Sequence, residues 1–108
     1  MLPKANRLTK KNDFDLVFKK GKNAKRDFLV VKMLKNNLKE NRFGFIVSKK
    51  VSPKAVVRNK VKRRLRDALS KELGAIKEAQ DIIFIALPGI EKKEYSDIKE
   101  AVSSFFKK

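Results

Sequence analysis

Ten cationic side chains fall between residues 41 and 66: Arg42, Lys49, Lys50, Lys54, Arg58, Lys60, Lys62, Arg63, Arg64 and Arg66, with no Asp or Glu among them. Guanidinium forks grip phosphate oxygens in pairs and ammonium groups act as compact point charges, so the chemistry on offer is anion binding. Asn59, inside the run, both donates and accepts. Bond-breaking chemistry has little to work with. The chain has no His and no Cys, which removes the ordinary imidazole base, disulfides and thiolate metal sites. Its Ser residues therefore lack an imidazole to activate them. Asp13 and Asp15 diverge on a helical wheel, and the other acids show no chelating spacing. The polypeptide is expected to be non-catalytic and to bind no cofactor by itself.

The charge is unevenly placed. The 108 residues hold 29 Lys+Arg against 12 Asp+Glu, a net charge of +17. Residues 1–66 carry 22 of the cations and 4 of the acids, whereas residues 67–108 carry 7 and 8. Such crowding repels itself, and a polyanion that exchanges its condensed counterions for these side chains relieves it. A merely soluble surface normally interleaves both signs. Nucleic acid is thus the expected partner, with neither membrane nor protein partner implied. A hydrophobic content of 42% supplies one modest core. The longest apolar run, Ile82 to Leu87, falls far short of the ~20 residues of a membrane-spanning helix. The opening MLPKANRLTKKNDF lacks the apolar stretch of a secretory signal, so the cytoplasm is the expected location.

These side chains need elements to hold them. Residues 1–8 are expected to form a flexible arm and residues 9–108 a single RNA-binding domain. Asn12 is a candidate cap and Gly21 a candidate end for a helix over 12–20, in which Phe14, Val17 and Phe18 share a face. That spacing fits two readings: both rings in the core, or one edge left open for bases to pack on. Arg26 to Leu34 and Phe43 to Lys50 read as strands, joined by the polar NNLKEN into an antiparallel hairpin. Pro53 makes Val51 to Lys54 a loop. Val57, Val61, Leu65 and Leu69 then trace the apolar stripe of a helix over 58–72, ended by Gly74 or extended through Ile76. On its wheel Asn59, Lys62, Arg63 and Arg66 share one flank, with Lys60 and Arg64 on the other. DIIFIAL, residues 81–87, reads as a strand covered on both faces, hence central in a sheet. Ser96 or Asp97 caps a last helix carrying Ile98, Ala101, Val102 and Phe105.

Several of these segments carry a resemblance. AVVRNKVKRRLRDAL, preceded by FGFIVSKKV, is similar to the signature of the protein subunit of bacterial ribonuclease P, and NRLTKKNDFDLVFKKG and DIIFIALPG extend the match over nearly the whole chain. The resemblance implies an α+β single domain of order αβββαβα, with a mixed sheet packed against helices and a left-handed βαβ crossover, similar to the ribosomal-protein/elongation-factor-G type of domain. This is one strand more than the residues separate. Either 26–34 contributes two strands or a short one precedes it.

The resemblance also implies a role. In that family a catalytic RNA with magnesium in its active site removes the 5′ leader of precursor tRNA, and the protein assists as part of the endoribonuclease holoenzyme. Arg58, Asn59, Lys60, Lys62, Arg63, Arg64 and Arg66 match the motif that meets the catalytic RNA. Phe14 and Phe18 match aromatics of the leader-binding cleft, and Lys49 and Lys50 its basic rim. Departures are Lys60 in place of an arginine, Val31 where an aromatic is common, Leu87 where a basic residue is common, and Ser52-Pro53 in place of a glycine. The alternatives to this role are a small ribosomal or other structural RNA-binding protein, and a DNA-binding module using the basic helix in a major groove.

Overall fold

Seven α-helices and β-strands follow one another among the residues that the computed structural model describes, 7–36, 38–72 and 79–106. They are α1 (Lys11–Lys20), β1 (Lys22–Arg26), β2 (Leu29–Lys35), β3 (Arg42–Ile46), α2 (Ala55–Ser70), β4 (Gln80–Ala86) and α3 (Tyr95–Ser104), giving the order αβββαβα. The additional strand is β1. The chain reverses at Asp27-Phe28, where Asp27 takes φ 41°, a left-handed conformation that Asp tolerates, and Arg26 pairs with Leu29. The segment 26–34 is therefore the end of one strand, a turn and most of the next.

The expected hairpin between the second and third strand regions does not form. Sheet order is β1-β2-β4-β3, with β4 antiparallel to β2 and parallel to β3. Burial on both faces decides this. Ile82, Ile83 and Phe84 are at most 1% exposed, and a strand apolar on both sides gains most between two neighbours. Having β4 beside β3 in parallel requires a crossover, and α2 supplies it. Loop residues 47–54 lead into α2, as Pro53 demands, and β3 stops at Ile46 rather than Lys50.

Alternation sorts the sheet into two faces. Leu29, Val31, Phe43, Ile82, Phe84 and Ala86 form the main core with Val61, Leu65, Ala68 and Leu69 of α2 and Ile98 and Val102 of α3. Phe45 stacks on Phe84 at 5.6 Å between ring centroids, and Phe106 meets Phe84 edge-on. The opposite face packs Leu8, Val17 and Ile83 under α1.

Helix ends differ from expectation in detail. α1 begins after Lys10, so Asn12 lies inside the helix rather than capping it. Gly21 does end it, donating to the Val17 carbonyl at 2.7 Å. Glycine is required there by crowding, since a Cβ would fall 2.5 Å from that same oxygen. α2 starts three residues before the expected boundary, and Gly74 and Ile76 lie outside the described residues. α3 is capped by Glu94 rather than Ser96 or Asp97. Asp97 instead completes a capping box by accepting from the Glu94 N–H at 3.3 Å. Of the expected arm, Arg7 and Leu8 are docked: Arg7 bridges Phe43, and Leu8, 4% exposed, donates to the Phe43 carbonyl at 2.8 Å. Residues 1–6 lie outside the described residues.

Candidate nucleic-acid interface

Cross-strand register lays out the α1 face of the sheet in three rows: Arg42–Asp81–Leu34, Gly44–Ile83–Lys32–Asn23 and Ile46–Ile85–Val30–Lys25. Val17 of α1 packs with Ile83 in the middle row. Phe14 lies so close over Gly44 that a Cβ there would sit 2.5 Å from its ring. Phe18 is 41% exposed, and the Lys32 ammonium lies 5.2 Å from its ring centroid, a cation–π contact. In the third row Ile46, Ile85 and Val30 remain partly exposed beside the helix and Lys25 is exposed. The result is a groove with an aliphatic floor, one wall edged by Phe14 and Phe18, and cations at Lys25 and Lys32.

Arg42 fixes that wall to the sheet. Its Nε and Nη2 donate to the two Asp81 carboxylate oxygens at 2.8 and 2.6 Å, and Nη1 donates to Asp13 of α1 at 3.2 Å. Asn36 also donates to Asp81, at 2.9 Å. The hydrogen bonds that Arg42 donates to Asp81 hold its pKa above its already high ordinary value, against the opposing effect of burial. Lys49 and Lys50 are exposed in the loop after β3, whose Val47 and Val51 are buried and so turn the lysines outward.

Two expected departures look different in place. Val31 is fully buried on the α2 side, paired with Phe84, so its size bears on the core and not on the groove. Its neighbours Val30 and Lys32 face the groove. Leu87 follows β4 and donates to the Phe28 carbonyl at 2.9 Å.

Asn59 and the cations of α2 point three ways. Asn59, Lys60 and Arg63 are exposed on the outer surface, beside Val56 at 80% exposure. Arg58 and Arg64 are tethered, donating to the carbonyls of Ser52 at 3.0 Å and Lys93 at 3.1 Å. Lys62 and Arg66 turn toward β3. With Arg7, Leu8, Thr9, Phe14, Phe43, Gly44 and Phe45 they line a recess of about 320 Å³ at the sheet edge. Lys32, Lys25 and Arg7 were not among the expected site residues. Lys32 had a signal in the sequence, a charge between Val30 and Leu34 on an otherwise apolar alternation; Arg7 had none. Among the described residues, no group of three or more carboxylates gathers as a metal site, and no helix is long and apolar enough to cross a membrane.

This arrangement has counterparts of known family. The Ribonuclease P family model matches residues 2–108. A ribonuclease P protein component from Alkaliphilus metalliredigens is 39% identical over 103 residues, covering 95% of this chain and 92% of that one. Among solved structures, a Staphylococcus aureus RNase P protein mutant with defective mRNA degradation activity superposes with a TM-score of 0.87 at 33% identity, covering 94% of this chain and 85% of that one. The RNase P protein from Thermotoga maritima gives 0.83 at 30% identity, covering 93% and 94%.

Proposed function

The chain belongs to the ribonuclease P protein family, and on that premise we propose that its two RNA-facing surfaces hold two different RNAs. The outer cations of α2 grip the catalytic RNA of the holoenzyme, and the groove beside α1 takes the single-stranded 5′ leader of precursor tRNA. The observation that carries this reading is the placement of the two surfaces: α2 packs on one face of the sheet, and the Phe14–Phe18 edge lies on the other.

The division follows from the chemistry of each surface. Guanidinium and ammonium groups on a rigid helix track a folded backbone by charge and shape, releasing counterions as they bind. An aromatic edge beside lysines suits an unpaired strand, at ~1–3 kcal/mol per stacked base with little sequence readout. The protein thereby lowers the repulsion between two polyanions and steadies the metal ions of the RNA. Phosphodiester hydrolysis belongs to the RNA with its magnesium, and the setting is the cytoplasm.

Reconstitution tests the reading. Added to the catalytic RNA at low magnesium, the protein should raise cleavage of a long-leader precursor far more than that of a leaderless one. Unchanged cleavage, or tighter binding of duplex DNA than of leader-bearing tRNA at matched salt, would sink it.

A further inference from the structure

We propose that the recess at the β3 edge is a binding site for one unpaired ribonucleotide, seated base-inward with its phosphate on Lys62 and Arg66. The proposal rests on the RNA-binding role argued above and deepens it, joining Phe14 of the leader groove to two cations of α2 that turn toward β3. Its inner wall is Phe43, 2% exposed, with Gly44 beside it. Phe14 and the partly exposed Phe45 flank the opening, and Lys62 and Arg66 stand at the rim.

Three features point to a nucleotide. First, Lys62 and Arg66 are four apart on α2, so both project from one shoulder of the helix, onto the same mouth. Among the described residues, no carboxylate lines the recess. By contrast, a recess between the β1–β2 turn and α3 includes Asp27, Asp97 and Glu100, and another beside α1 includes Asp13 and Asp81. Second, the inner lining is aromatic, and the Phe45 ring is braced by its stack on Phe84, so a base would meet a pre-set surface. Third, the sheet edge is open. The Phe43 carbonyl faces outward to accept from Leu8, and alternation turns the Phe45 N–H and C=O to that same edge, two residues past the Arg7–Phe43 pairing. The edge beside the recess thus carries a backbone donor and a backbone acceptor from one residue. A volume of about 320 Å³ is at the low end of the ~300–1,000 Å³ range of ligand pockets, enough for one base.

The nucleotide has two sources, the leader strand leaving Phe14 or an extruded residue of the catalytic RNA, and the experiment separates them. Binding of a single-stranded RNA of about five nucleotides to the full protein is measured for wild type, Lys62→Ala/Arg66→Ala, the charge-keeping Lys62→Arg/Arg66→Lys, and Lys99→Ala on the exposed face of α3. The alanine pair should lose about tenfold in affinity, the charge-keeping pair should restore most of it, and Lys99→Ala should match wild type. Removing one base at a time from the oligonucleotide should find one position that costs as much as the alanine pair. In the reconstituted enzyme, a loss confined to leader-bearing precursor assigns the nucleotide to the leader, and a loss in catalytic-RNA affinity assigns it to that RNA. Equal cost at every abasic position, or an alanine pair no weaker than Lys99→Ala, overturns the proposal. Wild-type protein that binds the oligonucleotide through Lys62 and Arg66 yet fails to stimulate the catalytic RNA would sink the enzyme role and leave the recess standing.

Discussion

Arg42 on β3 and Asp13 on α1 meet at 3.2 Å, and the same guanidinium grips the 3%-exposed Asp81 of β4 with its other two nitrogens. One side chain thus ties the helix that carries Phe14 and Phe18 to the two strands beneath it.

Removing it strands Asp81. Arg42→Ala should cost about 3 kcal/mol, the low end for breaking a buried pair, because Asn36 still donates to the carboxylate. Asp13→Asn should cost under ~1 kcal/mol, since that pair is partly open to water. Arg42 has a raised pKa, so its contribution is complete below the arginine range and is lost only as pH climbs through that raised value. The wild-type minus Arg42→Ala difference in urea stability should therefore be flat across neutral pH as far as the arginine is concerned. A difference that vanishes toward pH 9 would contradict the pairing.

Gly44 is held by the Phe14 ring and not by its own backbone angle. Gly44→Ala places a methyl 2.5 Å from that ring and should destabilise by ~1–3 kcal/mol, as overpacking does. It should also weaken long-leader precursor binding while sparing catalytic-RNA binding. A double-mutant cycle with Phe14→Ala checks the cause. The stability penalty should shrink in the Phe14→Ala background, and full additivity would show that the ring is not what Gly44 accommodates.

Phe18 separates binding from folding. At 41% exposure its truncation to Ala should cost less than ~1 kcal/mol of stability, whereas Val17→Ala, fully buried one residue earlier, should cost ~2 kcal/mol. Leader-dependent affinity should respond in the opposite order, with Phe18→Ala losing ~1–3 kcal/mol of stacking. Isothermal titration and urea melts on the two variants read this directly.

What could be read from the chain follows the range of the signal. The α2 stripe and the central place of DIIFIAL are local patterns of burial, and both hold in the structure. Strand pairing is a competition between distant segments. NNLKEN has the composition of a hairpin turn, yet β4 displaces β3 from β2 because it has more apolar surface to bury. β1 escaped notice because KNAKR has Ala24 as its one apolar side chain. At 100° per residue the wheel grouped Lys62 and Arg66 with Asn59 and Arg63, but where a shoulder faces depends on what packs beneath it, here the β3 edge. Leu8 is held by a strand 35 positions away, a partner that no local pattern names.

Lys60 gives the sharpest test of the outer surface of α2, because it is exposed where the resembling family carries arginine. A lysine there contributes one mobile charge, and an arginine would contribute the same charge with a bidentate fork. Lys60→Arg should therefore tighten catalytic-RNA binding several-fold, roughly one added charge-assisted hydrogen bond, while leaving the slope of log affinity against log salt unchanged. Lys60→Ala should instead reduce that slope by ~0.7–0.9, the counterions released at one phosphate. Filter binding at four salt concentrations distinguishes these outcomes. A slope that steepens for Lys60→Arg would mean a second phosphate had been engaged, and an unchanged slope for Lys60→Ala would mean position 60 touches no backbone at all.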